Sequence, residues 1–211
     1  MTNPSSPNEY FELPFSRSDL HPDPIVQFST WYAQAKAKGE IEPSAMSLAT
    51  VNKNYDISAR MLLLKSFDNN GFAFFTNYSS PKAQSLSEIP KAAMVFWWPL
   101  CQRQVRITGN VVLLDDKQSD EYFNQRSKAS RIAAMISKQS AVIPNREYLI
   151  ERFQSLSQEK TNTEITRPSF WGGYLLQPEC LEFWQGRAHR LHDRFQYTKN
   201  PNGWEIVQLS P

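Results

Sequence analysis

Glycine is scarce in this sequence, and the motifs that glycine usually builds are missing. The seven glycines form neither G-x-G-x-x-G nor G-x-x-x-x-G-K-[ST], which excludes the common dinucleotide and P-loop phosphate cradles. There is no H-E-x-x-H motif, and three histidines are few for a metal centre, so we predict no metal site. No G-x-S-x-G motif indicates a serine hydrolase.

Cysteine and long apolar runs are also scarce. Cys101 and Cys180 lie far apart, which predicts reduced thiols and no disulfide framework. Residues 1–15 lack the apolar core of a signal peptide, and the longest apolar run, Ala92–Trp98, is too short to span a bilayer. The net charge of +2 provides no general attraction to nucleic acid or to a membrane. We therefore predict a cytoplasmic protein that binds neither.

Aromatic residues are plentiful, and short apolar segments alternate with turn residues. Thirteen phenylalanines, eight tyrosines and six tryptophans can form one sizeable core. The predicted strands are Ala45–Val51, Arg60–Lys65, Phe72–Thr76, Ala92–Trp98, Gln104–Leu114, Tyr174–Gln177, Cys180–Gln185, His189–Thr198 and Trp204–Leu209. Consecutive strands joined by short turns favour a mainly β fold, an antiparallel barrel with peripheral helices.

Four segments have helical character. The clearest begins after Asp23, has Pro24 in its first turn and ends before Gly39. The others are Ser80–Ile89, Ser119–Arg126 with Ser119 as its cap, and Asn145–Lys160. Residues 1–20 contain three prolines and are expected to form a flexible N-terminal arm, followed by a single domain over residues 21–211.

Cations within predicted strands are the strongest indication of a ligand site. Strand alternation over 189–197 would place Arg190, His192, Arg194 and Gln196 on one face, which suits a planar anionic ligand. The alternative is a charged outer face paired with neighbouring acids.

Two further segments contain candidate ligand-binding residues. The chain passes from a strand ending at Thr76 into a helix starting at Pro81, and Lys82 adds charge at that helix N-terminus, where phosphate binds well. A helix cap at Ser80 explains the same residues without a ligand. Trp184 could stack on a flat ring, although most tryptophans are core residues.

Together these segments resemble the pyridoxamine 5′-phosphate oxidase family, from about Asp23 to the C-terminus. The resemblance depends on RMLLLK at 60–65, FTN at 75–77, RQVR at 103–106, WGGY at 171–174, FWQG at 183–186 and RLHDR at 190–194. It implies a split β-barrel that works as a homodimer, with flavin mononucleotide (FMN) at the interface. The implied reaction oxidises pyridoxine or pyridoxamine 5′-phosphate to pyridoxal 5′-phosphate, and dioxygen is reduced to hydrogen peroxide.

The resemblance also implies roles for individual residues. Arg190 and His192 would sit over the substrate ring as the catalytic pair. The implied FMN-binding residues are Arg60, Met61, Leu62, Leu63, Leu64, Lys65, Phe75, Thr76, Pro81, Lys82, Gln104, Gln139, Ser140, Trp184 and Arg194. The implied substrate-binding residues are Tyr10, Lys65, Tyr122, Arg126, Ser130, Arg190, Leu191 and His192.

Several residues depart from the family pattern. Pro81 stands where the family usually has an arginine on the FMN phosphate, which predicts weaker FMN retention. The remaining departures are Pro7 and Asn8 before Tyr10, Ser127 after Arg126, the altered residues Arg131, Ala133 and Met135, and Gln208. Two other functions stay open: a related split-barrel flavoprotein with a different substrate, and a non-catalytic protein that binds FMN or pyridoxal phosphate.

Overall fold

The structure, a computed structural model, describes residues 15–160 and 163–211. Its strands are β1 (Ala45–Val51), β2 (Ile57–Leu63), β3 (Ser66–Asp68), β4 (Gly71–Asn77), β5 (Lys91–Trp98), β6 (Arg103–Leu113), β7 (Trp171–Gln185), β8 (Asp193–Asn200) and β9 (Gly203–Leu209). Its α helices are α1 (Pro24–Lys38), α2 (Pro81–Glu88), α3 (Asp116–Gln125), α4 (Lys128–Ile136) and α5 (Arg146–Glu159). The predicted class, mainly β with peripheral helices, is confirmed.

The nine strands of the described chain belong to one antiparallel sheet, in which seven follow the order β2-β1-β5-β6-β7-β4-β3 and the other two, β8 and β9, branch from β7. Strand β7 pairs with β6 along one edge. On its other edge it pairs first with β4, over 171–176, and then with β8, over 180–185. Strand β9 adds to β8. One long strand therefore supports two branches of the sheet at its two ends.

The main core lies between the inner face of the sheet and helix α1. Phe28 is fully buried among the rings of Phe67, Phe72 and Phe96, with centroids 4.9 to 5.1 Å away. A second, smaller cluster forms where α3 and α4 pack on Trp171 at the start of β7. The many aromatic residues of the sequence are therefore divided between two cores, and the smaller one contains Trp171 and Phe123.

Helix α1 begins and ends where the sequence predicts. The carboxylate of Asp23 accepts a hydrogen bond from the backbone amide of Ile25, and Gly39 adopts the left-handed conformation that closes a helix. Residues 1–14 lie outside the described part of the chain. Of the arm expected over residues 1–20, the structure describes residues 15–20. Phe15 is 5% exposed and packs on Trp31 and Phe195.

The most consequential wrong prediction concerns the strand expected over 189–198. Strand β8 starts only at Asp193, because His189 and Arg190 both have left-handed backbone angles and form a turn. Residues 188–190 make a short 3-10 helix. Strand alternation therefore does not place Arg190, His192, Arg194 and Gln196 on a common face, as was expected.

Three smaller differences concern element boundaries. The cap of α3 is Asp115, and the predicted cap Ser119 is buried inside that helix, where its hydroxyl accepts a hydrogen bond from the amide of Gly173. Helix α4 was not predicted, and Ser127 caps it by accepting from the amide of Ser130. The predicted strands 174–177 and 180–185 are one strand, since a register shift accommodates Pro178 without ending β7.

Within the described residues, no helix is long and apolar enough to cross a membrane. Cys101 and Cys180 are both free thiols.

The register shift in β7 generates a testable prediction about Gly109. A Cβ atom at Gly109 would lie far inside van der Waals contact with the backbone carbonyl of Gln177, which cannot move without breaking the ladder. We expect Gly109→Ala to lower the free energy of unfolding by about 3 kcal/mol or more, measured by chemical denaturation. The control is Gly39→Ala, where nothing lies within 4 Å and only a left-handed φ of 85° is strained, at about 1 to 2 kcal/mol. Equal losses in the two variants would contradict this account of the shift.

Candidate functional site

Two cations predicted to bind phosphate, Arg60 and Lys82, lie close together, with Lys82 buried and Arg60 half-buried. Lys82, 6% exposed at the start of α2, donates to the hydroxyls of Thr76 and Ser80 at 3.1 Å each and to Oε1 of Gln139 at 2.6 Å. Arg60 on β2 donates to the carbonyl of Leu48 and the hydroxyl of Thr50. Within residues 15–160 and 163–211, neither cation has a carboxylate in ion-pair range.

The electrostatics of this pair favour an anion. Burial, with a further contribution from the nearby charge of Arg60, lowers the pKa of Lys82 to about 8. Burial also lowers the pKa of Arg60. Uncompensated buried cations are costly, and a phosphate would supply the missing negative charge. We name Arg60, Thr76, Lys82 and Gln139 the cation cluster.

The rest of the predicted segment 60–65 alternates across β2 and its continuation. Met61 and Leu63 are on the outer face, 65% and 36% exposed, whereas Leu64 is buried and Leu62 is half-buried. Pro81 is exposed as the first residue of α2, next to Lys82. Its ring removes one amide from a helix N-terminus that points towards the cation cluster.

A cavity of about 710 Å³ lies along β4. Lys65, Phe75 and Tyr122 line it, so residues predicted for the flavin and for the substrate phosphate share one space. The Phe75 and Tyr122 rings stack with centroids 4.0 Å apart. Gly173 makes room for the Phe75 ring, since a Cβ there would collide with it.

Arg126 lies behind Tyr122 between α3 and α4. Its guanidinium carbon is 4.7 Å from the ring centroid of Trp171, and its Nη1 is buried without a hydrogen-bond partner. Burial lowers the pKa of Arg126, and the electrostatic interaction with Tyr122 partly raises it again. Ser130 is nearby in sequence and accepts a 2.8 Å hydrogen bond from the hydroxyl of Ser127. An unpaired buried N–H on a cation is a place where a water molecule or an anionic ligand can bind.

Gln139 and Ser140 follow helix α4. Gln139 joins the cation cluster through Lys82 and through a 3.1 Å hydrogen bond from Thr76. Ser140 has a left-handed φ of 68° and lines a separate cavity of about 380 Å³ beside α5. Gln139 is therefore part of the cation cluster, whereas Ser140 faces a different cavity.

The remaining predicted residues gather around the turn before β8. His192 packs 4.5 Å from the ring of Trp184, and its Nδ1 accepts a hydrogen bond from the amide of Arg187. Burial, together with the charges of Arg190 and Arg194, lowers the pKa of His192. Arg190 is exposed in the left-handed conformation, and Leu191 is 69% exposed. We name Gln104, Trp184, Arg190, His192 and Arg194 the turn cluster.

Arg194 and Gln104 join this cluster through sheet pairing. Trp184 on β7 lies opposite Gln104 of β6 and Arg194 of β8. Arg194 is already paired with buried Glu182 at 2.9 Å, and Arg106 approaches the same carboxylate at 3.1 Å. Arg194 is therefore a compensated cation, unlike Arg60 and Lys82.

The cation cluster and the turn cluster lie at opposite ends of strand β7. Phe75 and Thr76 pair with Gly173 and Gly172 at its start, whereas Trp184 is near its end. Eleven residues separate Gly173 from Trp184, which is roughly 36 Å of extended strand. One chain therefore does not bring all the predicted residues around one small ligand.

Comparison with known proteins identifies the family. Residues 33–158 match the model described as pyridoxamine 5′-phosphate oxidase, and residues 171–211 match a pyridoxine 5′-phosphate oxidase C-terminal dimerisation region. This chain belongs to the pyridoxamine 5′-phosphate oxidase family. Proteins named pyridoxine/pyridoxamine 5′-phosphate oxidase are 49% identical over 197 residues in Nostoc sp. (93% of this chain and 92% of that one) and 45% identical over 203 residues in Acaryochloris marina (96% and 93%).

Solved structures agree with this placement in the pyridoxamine 5′-phosphate oxidase family. PhzG from Burkholderia lata, solved with tetrahydrophenazine-1-carboxylic acid, has a TM-score of 0.89 and 30% identity, covering 95% of this chain and 98% of PhzG. A pyridoxamine 5′-phosphate oxidase-related, FMN-binding protein from Nostoc punctiforme has a TM-score of 0.71 at 18% identity, covering 88% and 96%, and shows the fold alone. The predicted split-barrel fold is confirmed.

Two structural contributors were not predicted. Trp171 was quoted only as part of a motif, although Arg126 packs on it. Glu182, which pairs with Arg194, has no sequence signal beyond its position on β7. Ser80, predicted as a helix cap, precedes α2, but its hydroxyl accepts a hydrogen bond from Lys82 and makes no capping bond. Tyr10 lies outside the described residues.

Lys82 supplies a prediction about pH. Its lowered pKa means that, without ligand, the folded chain releases a proton near pH 8 that the unfolded chain keeps to about pH 10.5. The unfolded state then binds more protons, so the contribution of Lys82 to stability is unfavourable at pH 7 and becomes less so as the pH rises from 8 towards 10.5.

We therefore expect ligand-free Lys82→Met to be more stable than the wild type at pH 7, with a smaller advantage at pH 9.5, in denaturation experiments at both pH values. The control is Lys199→Met, an exposed lysine of β8, whose difference from the wild type should not change with pH. A constant difference for Lys82→Met would show that burial does not penalise its charge.

Proposed function

We propose that this protein is an FMN-dependent oxidase that converts pyridoxine 5′-phosphate and pyridoxamine 5′-phosphate to pyridoxal 5′-phosphate. The observation that carries the proposal is the presence of two distinct groups of cations that have no carboxylate partner among the residues that the structure describes. One is Arg60 with Lys82, and the other is Arg126 beside Tyr122 and the cavity lined by Lys65. Two separate anion sites suit a phosphorylated cofactor and a phosphorylated substrate.

The donor set of the cation cluster fits the phosphate of FMN. Arg60, Lys82, Thr76 and Gln139 would hold it, and Phe75 would contact the flavin beside the cavity. Bound FMN supplies the chemistry of hydride acceptance and electron transfer to dioxygen. The substrate loses two electrons and two protons in becoming an aldehyde or an imine that water hydrolyses, and dioxygen takes both electrons and both protons as hydrogen peroxide.

The chain's own residues bind and orient the substrate. Lys65, Tyr122, Arg126 and Ser130 would hold its phosphate at one end of the cavity. Because Nδ1 of His192 accepts from the amide of Arg187, the neutral ring carries its proton on Nε2. The lowered pKa of His192 keeps this neutral form at pH 7. His192 and Arg190 would then pack over the pyridine ring and fix the reacting carbon in position.

A homodimer would bring the start of β7 in one protomer close to the end of β7 in its partner. The cation cluster of one protomer and the turn cluster of its partner would form one site, because a single chain holds them too far apart. The outer face of the sheet supports this arrangement, since it exposes Met61, Trp97 and Val207. Exposed apolar faces of this kind are typical of protein interfaces, and residues 171–211 match a family dimerisation region.

A related flavoprotein with a different substrate is the second candidate, and similarity to PhzG supports it. The carboxylic acid in that structure needs no second phosphate site. Arg126 with its unpaired Nη1 favours a phosphorylated substrate in this chain. A non-catalytic FMN or pyridoxal phosphate carrier is the third, and only turnover separates it from an oxidase.

The function is tested by adding pyridoxine 5′-phosphate anaerobically to the FMN-loaded protein. We expect the visible flavin band to bleach and to return, with one hydrogen peroxide per substrate, when air is admitted. Pyridoxine without phosphate is the control and should bleach the band far more slowly, since it makes no contact with Arg126. A band that stays unchanged with FMN bound would eliminate the oxidase and leave the other two candidates.

Pro81 provides a prediction about cofactor affinity. We expect Pro81→Arg to lower the Kd for FMN about 5- to 10-fold at low salt, because it adds a cation beside Lys82 and restores one backbone amide. Pro81→Ala restores the amide without the charge and should give a smaller gain. Isothermal titration at two salt concentrations measures both, and an unchanged Kd in Pro81→Arg would refute the predicted weakness of FMN retention.

A further inference from the structure

Trp171 is the point where the residues proposed for the substrate phosphate meet the small aromatic core. It is the first residue of β7, 7% exposed, and its backbone is held on both sides. Its amide donates to the carbonyl of Pro168, and its carbonyl accepts a 2.7 Å hydrogen bond from Arg167. Arg167 is fixed in turn by Asp116 and Asp120 of α3 at 2.6 Å each. The indole therefore occupies a fixed position relative to α3.

Three flat groups are arranged around this indole. The Tyr122 ring is nearly parallel to it, at 8° and 6.1 Å, and the Phe75 ring lies at 15° and 5.6 Å. The guanidinium of Arg126 lies over it at 4.7 Å, closer than the 5.9 Å to Phe123. Trp171 thus contacts Phe75, which is proposed to contact the flavin. It also contacts Tyr122 and Arg126, which are proposed to bind the substrate phosphate.

Trp171 provides the nearer of the two aromatic rings that contact the guanidinium of Arg126. No carboxylate in the described part of the chain pairs with it, and its Nη1 makes no hydrogen bond. A long side chain without such anchors would lose rotamer freedom when it binds a phosphate, and that loss weakens affinity. Stacking on indole, the best aromatic surface for a cation, restricts the guanidinium before the ligand arrives.

We propose that Trp171 is a positioning residue for the substrate phosphate, which holds Arg126 and Tyr122 in the orientation that binds a phosphomonoester. This inference rests on the proposed function in one respect, the placing of the substrate phosphate at Arg126. Trp171 itself touches neither the phosphate nor the reacting carbon. Its replacement should weaken recognition of the phosphate and leave the chemical step unchanged.

The experiment compares Trp171→Leu and Trp171→Phe with Trp31→Phe. Trp31 is the matched control, because it is also buried, at 2% exposed, and carries Arg103 over its ring at 4.3 Å, outside the site. We expect KM for pyridoxine 5′-phosphate to rise about 10-fold in Trp171→Leu and about 3-fold in Trp171→Phe, with kcat within about 2-fold. Trp31→Phe should leave both unchanged. If Trp171→Leu does not fold, Trp171→Phe against Trp31→Phe decides the question.

Binding without turnover separates this inference from the proposed function. Pyridoxal 5′-phosphate and pyridoxal are titrated into the FMN-loaded proteins and followed by absorbance. A wild type that does not prefer the phosphorylated form would overturn the proposed function. A wild type with that preference and a Trp171→Leu variant that keeps it undiminished would overturn the role of Trp171 alone.

The same titration in an Arg126→Met background shows whether Trp171 acts through Arg126. We expect Trp171→Leu to weaken binding about 10-fold with Arg126 present and less than about 2-fold without it. Equal losses in both backgrounds would mean that Trp171 only stabilises the fold, and would refute the inference.

Discussion

Strand β7 connects the two ends of the candidate site, because it is hydrogen-bonded to two different partners along one edge. Its first half holds β4 and, through Gly172 and Gly173, leaves space for Tyr78 and Phe75. Its second half holds β8 and the turn that carries His192. The bulge opposite Gly109 lets one strand do both, since it absorbs Pro178 without breaking the ladder to β6.

The cations around this strand are of two kinds, those paired with a carboxylate and those that are not. Arg194 and Arg106 share the buried carboxylate of Glu182 and are satisfied within the chain. Lys82 and Arg126 are held by hydroxyls, an amide and aromatic faces, which orient a cation but do not neutralise it. Such groups are less stable alone than when an anion is present, so ligand binding and stability should be linked. The contrast separates arginines satisfied within the chain from the cations proposed to bind ligands, which sequence position alone does not do.

Much of the fold was predictable from local signals. Asp23, Pro24 and Gly39 gave the limits of α1, and β1 was predicted to the residue. The turn at 188–191 was not predictable from alternation, because RLHDR has the periodicity of a strand while two residues in left-handed conformation reverse the chain. Nor could sequence pattern show that Arg126 packs on Trp171, since the 44 residues between them give no local signal. The roles of individual site residues came from the family resemblance and remain proposals.

The separation of the cation cluster from the turn cluster has a genetic consequence. If each site takes one cluster from each of two chains, a defect at Lys82 and a defect at Trp184 damage different halves of the same site. A mixed dimer of the two defective chains would collect both defects in one site and leave the other intact. Two inactive alleles could then complement one another, whereas two alleles damaged in the same cluster could not.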